Sequence, residues 1–252
     1  MIDLAPLMRL GLLVVRPGML IAMLPAFGGA FAPARVKVGL IVLIAIGLAP
    51  SAAVPLSIEP LPIALVLARE ASIGLALALA LQVLIAGAGA AGSLIGFQMH
   101  LSYGATIDPQ SGVRNPILSV LYSNIALVTF FSIDGHHAFL RALRQSYVDL
   151  PVGAGHISAS LPGDVARLLG FVFMLGLRLA APIVIVLLLV ETALALLARS
   201  APALNPMGIG APVRLIVGFL VLAVVVPTVA GLVAGTSGSI VQMAAHAARA
   251  FR

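Results

Sequence analysis

The chain has 252 residues, 62% of them hydrophobic and only 9% charged, with 14 basic and 8 acidic side chains and no cysteine. A soluble domain carries about 25% charged residues, so this chain cannot cover a water-facing surface. It reads as an all-α integral membrane protein, a single membrane domain over 1–252. The net charge of +6 comes from dispersed residues rather than a basic run, which argues against a nucleic-acid partner, and the lack of cysteine excludes disulfides, thiolate metal sites and thiol nucleophiles.

A hydrocarbon core of about 30 Å takes about 20 apolar residues in a helix, and stretches without charge locate about six such segments. The first runs from about Leu10 to Ala30, interrupted by Arg16. Ala30-Phe31-Ala32 resembles a signal-peptide cleavage site, but Pro17, Gly18, Pro25 and Pro33 in and after the apolar run argue against cleavage. The second segment, Val38 to Ile58, follows the Arg35/Lys37 pair and is expected to be shortened by Pro50 and Pro55. Ala71 to Ile107 is 37 residues free of Asp, Glu, Lys and Arg, and a third helix is predicted from about Arg69 to Met99, followed by a structured loop to Pro116 that includes Asp108-Pro109-Gln110-Ser111-Gly112. Asn115 to Ile133 supplies the fourth span. Asp134 to Arg167 is the most polar stretch, with helix expected in parts of Ala138 to Val148. The fifth span, Leu168 to Ala198, contains Arg178, Pro182 and Glu191. After Pro202, Pro206 and Pro212 break the chain, the sixth runs from Leu215 to His246, kinked or ended at Pro227. The last two segments read as a helical hairpin.

With six spans and both termini inside, the inner loops hold eight basic residues (Arg9, Arg16, Arg69, Arg141, Arg144, Arg167, Arg249 and Arg252) and the outer loops five (Arg35, Lys37, Arg114, Arg199 and Arg214). The bias favours that orientation under the positive-inside rule. It is weak, as expected where helices are held by neighbouring subunits.

Gly87-Ala88-Gly89-Ala90-Ala91-Gly92 matches a dinucleotide-binding pattern, but it lies in an apolar run without a preceding strand or a following acidic residue. Close helix packing through Gly87, Gly89, Gly92 and Gly96 is the better reading. Arg178 and Glu191 are costly at membrane depth. On one straight helix they stand about 19.5 Å and about 140° apart, so each needs another partner, a water-filled cavity or a position nearer the interface. Glu70, at the start of the third span, is expected to be satisfied by a helix N-terminus or a neighbouring chain. All three are assigned to subunit pairing. Adjacent His136 and His137 point about 100° apart on a helix, and no carboxylate pattern completes a metal site. No nucleophile triad, H-E-x-x-H or paired carboxylates appear, so no catalytic residue, cofactor or metal is assigned.

The segment with most information combines Gly96-Phe97-Gln98-Met99, Leu101-Ser102-Tyr103, Asp108-Pro109 and Asn115-Pro116. A polar, proline-punctuated stretch at membrane depth is tolerated only when enclosed by protein or lining a cavity, so the segment is either an ordinary exterior loop or faces an interior space. With Arg35-Val36-Lys37-Val38-Gly39-Leu40, Gly135-His136 and Leu150-Pro151-Val152-Gly153 in the same order and spacing, the chain resembles the FliR family of flagellar export-gate proteins and, more distantly, the virulence-type SctT proteins.

The resemblance implies a non-enzymatic channel subunit in the bacterial inner membrane, at the flagellar basal body. It would assemble with FliP and FliQ, contact FlhB and lie next to FlhA, and pass unfolded flagellar substrates. It also implies a FliP-like part over 1–165 and a FliQ-like hairpin over 166–252. The gate loop then comprises Phe97, Gln98, Met99 and His100, with Ile107, Asp108, Pro109, Gln110, Ser111, Gly112, Val113, Arg114 and Asn115 as a plug. Relatives commonly have glycine where this chain has His100. A small secondary transporter working through Glu70, Arg178 or Glu191, and a virulence-type homologue, are the alternatives.

Overall fold

The computed structural model describes residues 5–24, 33–52, 63–101, 117–153, 161–201 and 206–249. They form seven α-helices: α1 (Ala5–Met23), α2 (Ala34–Leu48), α3 (Ile63–Gln98), α4 (Ile117–Ser132), α5 (Gly135–Asp149), α6 (Leu161–Ser200) and α7 (Pro206–Arg249). A short 3₁₀ turn, Ala49–Ser51, ends α2 where Pro50 cannot continue it. No strand occurs among the described residues.

Three of these helices are long and apolar enough to cross a membrane, Ile63–Gln98, Ala166–Ser200 and Gly208–Met243, and α4 with α5 adds a fourth if that broken pair is one span. Six segments were expected from the sequence, and the difference lies near the N-terminus. Helices α1 and α2 have 19 and 15 residues, about 28 and about 22 Å at 1.5 Å per residue, short of the core thickness. Conversely, α6 and α7 are longer than predicted, with 40 and 44 residues. Pro182, Pro212 and Pro227 lie inside them without ending them, since an interior proline removes one backbone hydrogen bond that its surroundings can replace. Pro206 opens α7, where a missing N–H costs nothing.

The chain forms two compact units. One comprises 1–83, 131–169 and 237–252, the other 84–130 and 170–236. In the first, α1 buries Leu12, Leu13, Arg16, Leu20 and Ile21, two rows at four-residue spacing that make one face of a helix. A Cβ at Gly74 on α3 would come within 3.0 Å of the Arg16 Cα and Met19 Cβ, so α1 and α3 touch backbone to backbone there. The Gln82 side chain donates to the Met23 carbonyl at the end of α1. Helix α5 turns Phe139, Leu143 and Tyr147 inward and leaves a polar face opposite.

In the second unit, α4 buries Leu118, Tyr122, Ala126 and Phe130, a single stripe of period four. It packs on the small-residue face of α3. A Cβ at Gly92 would collide with the Leu118 backbone, one at Gly89 would lie 2.8 Å from Ser123 Oγ, and one at Gly87 would lie 2.9 Å from Leu175 Cδ2 of α6. Gly96, in the same row, is buried. Helices α6 and α7 run antiparallel: Leu194 lies beside Gly210, and Glu191 beside Arg214.

Gly92→Ala should lower the thermal midpoint of the detergent-solubilised protein, because backbone opposes the new methyl and overpacking of this kind costs about 1–3 kcal/mol. Gly235→Ala, with nothing within 4 Å of its Cβ position, should leave the midpoint unchanged or raise it through helix propensity. Equal behaviour of the two variants would remove the packing role of Gly92.

Candidate functional site

The first unit is organised around Arg16, an isolated cation in an apolar helix with no exposed surface. All its donors are used. Nε donates to Glu70 Oε2, and Nη2 donates to Glu70 Oε1 at 3.1 Å and to the Leu150 carbonyl at 2.9 Å. Nη1 donates to the Ser146 carbonyl at 2.9 Å and to Ser146 Oγ at 3.3 Å. Glu70 is equally enclosed, and its Oε1 also accepts from the Gly153 N–H at 3.1 Å. The guanidinium lies 4.5 Å from the Tyr147 ring centroid, within range for a cation–π contact, while the Tyr147 hydroxyl donates to the Leu13 carbonyl at 2.8 Å. Gly153 has φ +82, which the turn after α5 needs to aim its N–H at the carboxylate.

Glu70, expected to be satisfied by a helix N-terminus or a neighbouring chain, thus finds its partner inside the chain. Arg16, counted as a flanking charge, is its counter-ion. The signal was present in the sequence, since a lone Arg with Leu12 and Leu20 four residues to either side lies on the face a helix buries.

The second unit holds another polar cluster. Helix α3 ends in a Schellman turn, in which the Leu101 N–H reaches the Gly96 carbonyl at 2.9 Å and the His100 N–H reaches the Phe97 carbonyl at 3.0 Å. His100 occupies the left-handed position at φ 61, where glycine is the favoured residue. The glycine that the family resemblance places there therefore has a backbone reason. The His100 ring lies against Arg214 of α7, with Nη1 2.9 Å from Nε2, and against the Gln98 carbonyl, 3.2 Å from Nδ1. A ring carrying its hydrogen on Nδ1 satisfies both contacts. Arg214 Nη2 in turn donates to Glu191 at 3.1 Å. Glu191 is therefore paired within the chain, by an arginine that sequence position placed in a loop. Of the three charges assigned to subunit contacts, Arg178 differs: it is exposed on α6, with no ion pair among the described residues.

Of the other gate residues, Phe97 is 70% exposed and Met99 is buried, with Gln98 between them. Met99 fills the space beside Gly218, where a Cβ would meet its Cε at 2.7 Å. The plug residues Ile107 to Asn115 lie outside the described residues.

A family model described as bacterial export proteins, family 1, matches residues 7–239. The chain belongs to this FliR/SctT family. The chain is similar to the flagellar biosynthetic protein FliR of Pectobacterium carotovorum, 35% identical over 213 residues, 83% of this chain and 81% of that one. FliR of Escherichia coli K12 is 33% identical over 214 residues, 84% and 81% of the two chains. The surface presentation of antigens protein SpaR of Shigella sonnei is 27% identical over 143 residues, 56% of this chain and 54% of SpaR. These relationships make the protein a membrane-inserted component of a type III export apparatus of the flagellar kind.

Substitutions in each of the two clusters test them through thermal midpoints in detergent. Arg16→Met should lower the midpoint sharply, since removing one partner of a buried pair costs about 3–5 kcal/mol, whereas the double variant Arg16→Met/Glu70→Leu should recover part of the loss. A double variant at least as unstable as the sum of the single changes would contradict the pairing. At the end of α3, His100→Gly should raise the midpoint and His100→Val should lower it, because a β-branched residue at positive φ is strained. The reverse order would refute the left-handed assignment.

Proposed function

We propose that this chain is a channel-forming subunit of a flagellar type III export gate in the bacterial inner membrane. In this reading it assembles with FliP and FliQ beside FlhB and FlhA, and passes unfolded flagellar substrates. No catalytic step, cofactor or metal enters this function. The observation that carries it is the match to FliR proteins across more than four-fifths of both chains.

The surface of the long helices supports a subunit rather than a self-contained transporter. The apolar windows of the three spans are 67% buried for α3 but only 33% for α6 and 22% for α7. Helices α6 and α7 form the hairpin read as FliQ-like, with 1–165 as the FliP-like part. The exposed row Phe173, Leu177, Ile185 and Leu189 on α6 surrounds Arg178. A lone guanidinium on such a face is costly against hydrocarbon and suits a neighbouring subunit that supplies acceptors. Glu70 and Glu191 contribute to assembly indirectly, by holding the arginines that fix each unit. On this reading about six hydrophobic segments enter the membrane region, and the short α1 and α2 are embedded among subunits instead of each crossing lipid alone.

The segment Ile107 to Asn115 is assigned as a plug that closes the channel, with Phe97, Gln98, Met99 and His100 as its base at the end of α3. Deleting Asp108 to Arg114 should leave co-purification with FliP and FliQ in a fixed ratio intact while raising ion leakage through the assembled gates. Unchanged leakage in complexes of normal composition would sink the plug assignment, and failure to co-purify in any fixed ratio would sink the subunit reading.

A further inference from the structure

Asp134, His136 and His137 stand at the first turn of α5, and neither the fold nor the proposed export role uses them. We propose that they form a binding site for a divalent transition-metal ion, with zinc the best match. Their ligand atoms lie within 4.8 Å of one another. The Asp134 carboxylate is 3.2 Å from His137 Nδ1 and 4.0 Å from His136 Nε2, and the two imidazole centroids are 4.2 Å apart.

The local backbone makes this convergence possible. On an ideal helix His136 and His137 diverge by about 100°. Asp134 precedes the helix in the left-handed conformation, at φ 57 and ψ 29, and its side chain caps no amide. An aspartate at an N-cap ordinarily accepts a hydrogen bond from the first turn. Here the carboxylate turns toward the imidazoles instead. This residue was missing from the sequence reading of the His pair.

The donor set is two imidazoles and one carboxylate, which suits zinc, cobalt and nickel and leaves the remaining positions to water. Zn–N and Zn–O bonds of about 2.0–2.2 Å place ligand atoms of a tetrahedral ion about 3.4 Å apart. The ligand atoms lie within 4.8 Å of one another, and Asp134 and His137 are exposed, with room to rotate. One carboxylate also offsets the unfavourable positive end of the helix dipole. The competing reading is an exposed Asp134–His137 hydrogen-bonded ion pair, which is worth little, with the His136 ring packed 5.4 Å from that of Phe131. His136 faces the carboxylate through Nε2, while its Nδ1 is buried without a hydrogen-bond partner among the described residues.

The test uses the full chain in detergent, purified without a metal-affinity tag and stripped with chelator. Cobalt(II) titration should give a saturable visible band at one ion per chain. Zinc(II) should abolish that band and magnesium(II) should not. His137→Ala and Asp134→Asn should each weaken binding at least 10-fold, the order seen when a ligand environment is disrupted, and His246→Ala should not. Absence of a saturable band, or binding that survives both substitutions or is lost in His246→Ala, would overturn the site. An independent reading on the unsubstituted protein is protection of His136 and His137 from diethylpyrocarbonate by zinc. Equal modification with and without zinc would overturn the site as well.

Discussion

A guanidinium with no access to water must meet acceptors on all its N–H groups, and this requirement orders the first unit. Arg16 draws its acceptors from α3, from the last turn of α5 and from the Leu150 carbonyl just beyond it. A buried ion pair contributes little net stability compared with a well-packed apolar alternative. Its effect is on register, because sliding α1 by one residue against α3 would leave both Arg16 and Glu70 desolvated and unpaired. The backbone approach at Gly74 holds the same register sterically. In a chain this apolar, nondirectional hydrophobic contact could be made in many ways, and the polar network singles out one.

The two non-glycine residues at positive φ among the described residues, His100 and Asp134, both lie where a helix ends or begins. Each brings a polar side chain to a cluster that helical continuation would not make. At His100 the ring joins Arg214 and Glu191 across two further helices; at Asp134 the carboxylate meets two imidazoles. Left-handed backbone is unfavourable for residues other than glycine, with aspartate among the more tolerant, so both positions carry a local cost.

Much of the helix inventory was legible because charge-free length is a direct requirement of the bilayer. Helix α4 begins and ends within two residues of its predicted limits, and α3 ends one residue from its predicted end but begins six residues before its predicted start. The small-residue run Gly87 to Gly92 was read as a packing face, and its Cβ directions meet α4 and α6. The start of α7 was misread because Pro206 and Pro212 were taken as breakers, whereas proline is tolerated where neighbouring groups replace its missing hydrogen bond, and α6 was opened at Leu168, after the polar stretch, seven residues late. Arg16 and Arg214 were misread as flanking anchors because the positive-inside rule counts charges along the chain and cannot see a counter-ion 54 or 23 positions away.

The sequence by itself determined that the chain belongs in a membrane, that it is helical, and that its motif blocks place it among the export proteins, since composition, apolar length and motif spacing are local properties. Only the tertiary structure decided which charges meet. Glu70 found Arg16, Glu191 found Arg214, Asp134 turned toward two histidines, and Arg178 stayed exposed. The pairings of Glu70 with Arg16 and of Glu191 with Arg214 depend on distances of a few ångströms between residues 54 and 23 positions apart, and those distances exist only once the helices have packed.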